Sequence, residues 1–139
     1  MSGPTNQTAK PLPHVTPKTK PFWDALNAHR IDIQRCDDCH AWVFFPRLHC
    51  PKCFSRNLTW TTVSGDGELL TYTLSRQPTL PELADEVPQM LAVVQLDEGV
   101  HLNTTLVRMA EDEIRIGMRV KPVFDEIAPD VTLLRFTAA

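Results

Sequence analysis

The sequence predicts a mainly β protein: a short N-terminal helix, a small stapled ribbon and then a five-stranded barrel. Three observations carry that expectation. Four cysteines fall within eighteen residues, as Cys36-Asp-Asp-Cys39, ten further residues and Cys50-Pro-Lys-Cys53. Downstream of them the apolar residues alternate with the period of two that half-buried strands show. Gly, Pro and Asp clusters divide that alternation at hairpin-like intervals.

Each element can be justified in order. Met1 to about Lys18 holds Pro4, Pro11, Pro13 and Pro17 among polar residues without periodicity, which reads as a flexible tail over residues 1–18. Thr19-Lys20-Pro21 has the form of a helix start, Thr as cap and Pro in the first turn. The helix is placed over residues 19–30, with Phe22, Trp23 and Leu26 on its apolar face. Ile31 to Arg35 alternates into the first Cys pair, and Ala41 to Phe45 returns until Pro46 breaks it. Leu58, Trp60 and Thr62 line one side of the next strand, giving a ribbon over 31–60 and a barrel over 61–139. Within the barrel, strands are expected at Glu68–Arg76, Met90–Leu96, Val100–Val107, Arg119–Ile127 and Val131–Thr137. Gly65-Asp-Gly67 and Asp97-Glu98-Gly99 supply turns, the proline-bearing stretch from Gln77 to Gln89 a loop, and Ala110–Ile116 a helical turn. Five strands with a short segment between the third and fourth fit the Greek-key barrel of the OB-fold; an SH3-like barrel or a small sandwich gives a similar order.

The cysteine spacing carries chemistry. Each Cys-x-x-Cys can wrap a tight turn that aims two thiolates at one ion, the signature of a rubredoxin-like zinc ribbon. Four soft thiolates suit zinc, with iron as a possible substitute. Two disulfides are the alternative, and they need an oxidising compartment. A site with four protein ligands has no open position for substrate, so the ion is expected to hold a fold together. Knuckles of this type often carry Gly after the second Cys, where positive φ is convenient; here His40 and Phe54 stand there. His40 and His49 flank ligand cysteines, and either could replace a Cys in a mixed site.

The 139 residues suit one domain, or two small ones of which one needs a staple. Net charge is −3, unevenly spread. Residues 1–63 hold eight Lys and Arg against four Asp, while residues 64–139 hold six basic against thirteen acidic residues. An acidic C-terminal half opposes a nucleic-acid binder, whose binding domain is usually basic. No apolar run approaches the roughly twenty residues of a membrane span, and Met1–Lys20 lacks the apolar core of a signal peptide, so the cytoplasm is the expected compartment.

The whole order resembles one family, the small bacterial and archaeal zinc-ribbon/OB-fold proteins associated with acyl-CoA metabolism, long catalogued as a domain of unknown function. The likeness rests on Phe22-Trp23, Arg35-Cys36-Asp-Asp-Cys39, Phe45-Pro46-Arg47 and Cys50-Pro-Lys-Cys53. It continues through Trp60, Ser64-Gly65-Asp66-Gly67-Glu68-Leu69, Tyr72-Thr73, Val93 to Gly99 and Ile116-Gly117-Met118-Arg119-Val120. The resemblance implies a non-catalytic accessory subunit of a thiolase-like partner (a thiolase, aldolase or acyltransferase) that completes the complex and helps to hold the CoA moiety.

The residues themselves offer no Ser-His-Asp order, no His-Glu-x-x-His and no phosphate-cradling Gly loop, and the four cysteines are committed to the metal. Candidate partner contacts are Phe22, Trp23, Trp42, Phe44 and Phe45. Arg35, Arg47, Lys52 and Arg56 are candidates to meet CoA phosphates or partner carboxylates. Two other readings remain: a stand-alone acyl-CoA binder, and a single-stranded nucleic-acid binder using Trp60 and Tyr72 as stacking platforms.

Overall fold

A computed structural model describes residues 11–78 and 80–139. The chain order is helix α1 (Lys20–Asn27), strands β1 (Ile31–Cys36), β2 (Trp42–Val43) and β3 (Leu58–Val63), then β4 (Gly67–Ser75), β5 (Gln89–Leu96), β6 (His101–Leu106), β7 (Arg119–Ala128) and β8 (Val131–Ala138). The first three strands form a sheet in the order β2-β1-β3, and the other five close a barrel in the order β4-β5-β6-β8-β7. That barrel order is the OB-fold expected from the strand count. Residues 1–10 of the expected tail lie outside the described residues. Residues 11–16 carry no helix or strand, and a turn over Thr16–Thr19 leads into α1.

Thr19 does not cap the helix as expected. Its hydroxyl turns back onto the Thr16 main chain, while its carbonyl accepts from Phe22 and Trp23. The helix ends two residues before His29, in a Schellman motif. Arg30 N–H donates to Ala25 O, His29 N–H donates to Leu26 O, and His29 takes the left-handed position with φ 58°. His29 then stacks on Phe124 with ring centroids 5.1 Å apart and bonds Glu126 at 2.7 Å. Asn27 Nδ2 donates to the Asp130 carbonyl, so the helix end is clamped to the β7–β8 hairpin.

β3 pairs with β1 along its whole length, Ile31 opposite Val63 through Cys36 opposite Leu58, so the ribbon sheet runs on to residue 63. The return strand β2 is only Trp42–Val43, because Pro46 and the second knuckle draw the chain away. Inside the stretch expected as a plain loop, Pro81–Glu86 makes a 3₁₀ turn; Glu111–Glu113 makes the helical turn anticipated between the third and fourth barrel strands. Gly67 opens β4 opposite Leu96, where a Cβ would collide with the Gln95 carbonyl. No residue but glycine fits so close a backbone approach.

One apolar core joins the parts. Phe22 and Leu26 of the helix and Ile31, Ile33 and Val63 of the ribbon sheet pack with barrel residues such as Leu69, Val94, Leu102 and Phe136. The barrel seam between β6 and β8 is thin: one residue pair, Leu106 with Phe136, backed by the Thr104 hydroxyl donating to the Leu134 carbonyl. Phe22, Trp23 and Leu26 of α1 face that seam across a shared cavity. Among the described residues no helix is long and apolar enough to cross a membrane.

Candidate metal centre and partner-facing surface

The two knuckles are built alike. Cys36 N–H donates to Ala41 O and His40 N–H to Cys36 O; in the second, Cys50 N–H donates to Ser55 O and Phe54 N–H to Cys50 O. Closing each turn this way requires a left-handed residue after the second Cys, and His40 and Phe54 supply it at φ 63° and 64°. Both therefore adopt the conformation that glycine takes at lower cost, by about 1 kcal/mol each.

These turns bring four sulfurs together. All lie within 4.8 Å of one another, with Cys36–Cys53 and Cys39–Cys50 Sγ pairs at 3.5 Å. A tetrahedron of thiolates with metal–sulfur bonds of about 2.3 Å has edges of about 3.8 Å, so the donor set fits a metal. The sulfurs are too far apart for disulfides, and the cysteines are free. Amide N–H groups already point at the sulfurs: Cys39 N–H reaches Cys36 Sγ and Lys52 N–H reaches Cys50 Sγ, both at 3.4 Å. Without an ion the four thiols titrate apart. The Cys53 amide leads in drawing Cys50 down to about 6. Cys53 is pushed up to about 12: the Ser55 amide favours its thiolate, but burial and the neighbouring sulfurs outweigh it. Only a cation lets all four ionise together. Neither His40 nor His49 joins the cluster, and His49 Nε2 instead accepts from Arg56 Nε at 3.0 Å.

The basic candidates separate. Arg35 lies 4.8 Å over the Trp42 ring and donates from Nε to the His40 carbonyl, which fixes it to the first-knuckle side. Arg47 is exposed, and the buried Gln34 holds its main chain, accepting from Arg47 N–H at 2.8 Å and donating to its carbonyl at 3.0 Å. Lys52 and Arg56 are exposed near the second knuckle.

Four of the five aromatic candidates gather. Phe22 is the hub, edge-on to Trp23, Phe44 and Phe45 at centroid distances of 5.1, 5.5 and 5.9 Å. At 4% exposure Phe22, one of the candidate partner contacts, is core, because the helix turns it into the joint between ribbon and barrel. Trp23 and Phe44 are half-buried and Phe45 is 45% exposed, while Trp42 stands apart under Arg35. Between Trp23, Phe44, Phe45 and strands β6 and β8 lies an apolar cavity of about 360 Å³. The sequence reading missed two more exposed apolar residues, Leu48 and Phe54. Phe54 carried a signal: a large ring where glycine is favoured has no folding reason to be there.

Among the described residues no Ser, Thr or Cys side chain hydrogen-bonds a histidine. His29 pairs with Glu126 and His49 with Arg56.

Comparison with known proteins follows this division. Residues 23–59 match a family model described as the rubredoxin-like zinc ribbon domain of ChsH2, and residues 60–125 its C-terminal OB-fold domain. A solved structure described as Ltp2-ChsH2(DUF35) aldolase superposes with TM-score 0.80 at 33% identity, covering 91% of this chain and 98% of that one. A probable enoyl-CoA hydratase alpha subunit from Thermomonospora curvata is 37% identical over 133 residues, 94% of this chain but 40% of that protein, so the chain spans less than half of that relative. A DUF35 domain-containing scaffold protein from Methanothermobacter thermautotrophicus is 36% identical over 71% of this chain and 74% of its own length. Ribbon and barrel are thus matched in order and across most of a relative of similar size: the chain belongs to the DUF35 family of zinc-ribbon/OB-fold proteins.

Proposed function

We propose that this chain is a non-catalytic accessory subunit of a thiolase-like acyl-CoA enzyme, with zinc as its structural metal. The observation that carries the reading is the likeness, over 98% of its length, to a DUF35 chain whose description places it with an aldolase. The hydratase alpha subunit among the relatives adds acyl-CoA chemistry to the same association, and the archaeal relatives are described as scaffold proteins. The site chemistry agrees: four thiolates leave zinc no open position for a substrate. In this reading the partner performs C–C cleavage or acyl transfer. Trp23, Phe44 and Phe45, supported from beneath by Phe22, offer one apolar contact surface, and Trp42 under Arg35 offers a separate one. Arg35, Arg47, Lys52 and Arg56 face partner carboxylates or the CoA phosphates.

Co-expression with a thiolase-like protein encoded beside it tests the proposal. The two should elute as one complex, and Phe45→Asp should split it while leaving the zinc in place. Acyl-CoA turnover by the purified chain alone, abolished by changing one of its own side chains, would sink the accessory-subunit reading.

A further inference from the structure

We propose that the open cleft beside the second knuckle docks an acidic segment of a partner protein, which seats an apolar side chain against Leu48 and Phe54. The inference rests on the accessory-subunit reading and adds to it a surface and the chemistry of what covers it. The cleft encloses about 700 Å³ and is lined by Lys18, Arg47, Leu48, His49, Pro51 and Phe54, with no carboxylate in its wall. Leu48 is 68% and Phe54 76% exposed, the two most exposed large apolar side chains among the described residues. Exposed apolar groups beside arginine are the composition that protein interfaces favour.

The charges there are unspent. Among the described residues Lys18, Arg47, Lys52 and Arg56 form no ion pair, as Arg108, Arg115 and Lys121 of the barrel form none, while Arg76, Arg119 and Arg135 each hold a carboxylate. Arg56 binds the His49 ring, which places its guanidinium at the cleft rim. Gln34 fixes the main chain from which Arg47 projects. The acids of this ribbon are occupied and none lines the cleft: Asp32 pairs with Arg30 and accepts from Thr62, Asp37 accepts from Thr59, and Asp38 reaches across to accept from Ser55 and Asn57. The cleft wall therefore carries Lys18 and Arg47 with no carboxylate facing them from the lining.

The backbone decides between kinds of anion. A phosphate cradle needs convergent free amides. Here Phe54 N–H is spent on Cys50 O, Cys50 N–H on Ser55 O and Lys52 N–H on the Cys50 sulfur. Apart from the adjacent Leu48 and His49 amides, which have no partner among the described residues, what remains are separate cations on flexible stems around an apolar floor. That arrangement matches spaced carboxylates flanking an apolar side chain better than one compact phosphate.

The test uses the zinc-loaded full chain. Amide NMR spectra are titrated with the peptide acetyl-Glu-Leu-Glu-Glu-Leu-Glu-amide, and separately with inorganic pyrophosphate. Peptide shifts should gather at Lys18 and residues 47–54. Lys18→Glu with Arg47→Glu should weaken peptide binding about tenfold or more, and the charge-neutral Leu48→Ser about threefold, with metal content unchanged. Peptide shifts elsewhere, or affinity indifferent to these changes, would overturn the proposal. So would pyrophosphate binding at the same amides more tightly than the peptide. Concentration-dependent self-association abolished by the charge reversal would also overturn it, since a second copy would then be the occupant. In the complex with a thiolase-like protein, the charge-reversed pair should raise the dissociation constant about tenfold. A complex that forms and ignores the reversal removes this surface but leaves the accessory-subunit reading standing. Failure of the unmodified chain to form any such complex removes that reading as well.

Discussion

The barrel and the ribbon tip solve the same problem, holding short strands together, with unequal means. The barrel closes over fully buried Leu69, Val94, Leu96, Leu102, Leu106 and Phe136. Among the described residues the tip has a separate core of three buried residues, Cys36, Val43 and Cys50, with Ala41 and Leu58 packed against it. Burying one Val yields about 1.5–3 kcal/mol, far short of the entropy of ordering two knuckles and their connection. The barrel is therefore packing-stabilised and the tip metal-stabilised, and perturbations should divide them.

The sharpest division comes from the metal. Replacing Cys36 and Cys50 together by Ser should abolish metal binding and remove an apparent contribution on the order of 10 kcal/mol to the tip. Hydrogen exchange should then show the knuckle amides unprotected while β5 keeps its protection; loss of the whole barrel would mean the two regions are not separable in this way. On the barrel side, Phe136→Ala should cost about 3–5 kcal/mol, lowering the thermal midpoint without releasing metal at low temperature. Gly67→Ala should cost about 2–3 kcal/mol, because β5 must shift away from the new Cβ; calorimetry measures it, and an unchanged midpoint would contradict the close approach described.

Back at the tip the sign reverses. Phe54→Gly should stabilise the metal-loaded chain by about 0.5–1 kcal/mol, since it relieves left-handed strain and removes a side chain that packs little. The smallest effect belongs to a surface pair of the barrel. Arg119 donates to both carboxylate oxygens of Asp97, at 2.9 and 2.8 Å, and so holds the Asp97 carboxyl below its usual range. The stabilisation from a depressed carboxyl is present above the unfolded value and lost as pH falls through the folded one. Between pH 5 and 3, Asp97→Asn should lose slightly less thermal stability than the parent, and the difference should vanish in high salt.

How far the sequence could be read follows from the range of each signal. The cysteine cluster was legible because Cys-x-x-Cys is a local geometry: four residues determine a knuckle wherever it lies in the fold. The barrel strands were legible because their alternation has period two and their turns carry Gly or Pro-Asp. What was missed depends on distant partners. Thr19 had the composition of a cap, but Thr16 competed for its hydroxyl. Phe22 and Phe45 look equivalent as sequence, and only the docking of α1 on the β6–β8 seam buries one and leaves the other wet. The 3₁₀ turn at Pro81–Glu86 was hidden by its prolines, which read as loop. Leu48 and Lys18 belong to one cleft only because the second knuckle folds back beside the entry to the helix.

The clamp at the end of α1 has a mechanical consequence. Only Ser64, Gly65 and Asp66 join β3 to β4, and Gly65 packs under Ile31 and Pro122. With Asn27 and His29 tied to the β7–β8 hairpin on the other side, the ribbon sheet is anchored to the barrel at two separated points. Two anchors leave rotation about the line that joins them, and the shared core of Phe22, Leu26, Ile31, Ile33 and Val63 with the barrel opposes that rotation. A load applied at the knuckles is then carried to the barrel as orientation. Any protein that grips one arm has thereby set the direction of the other.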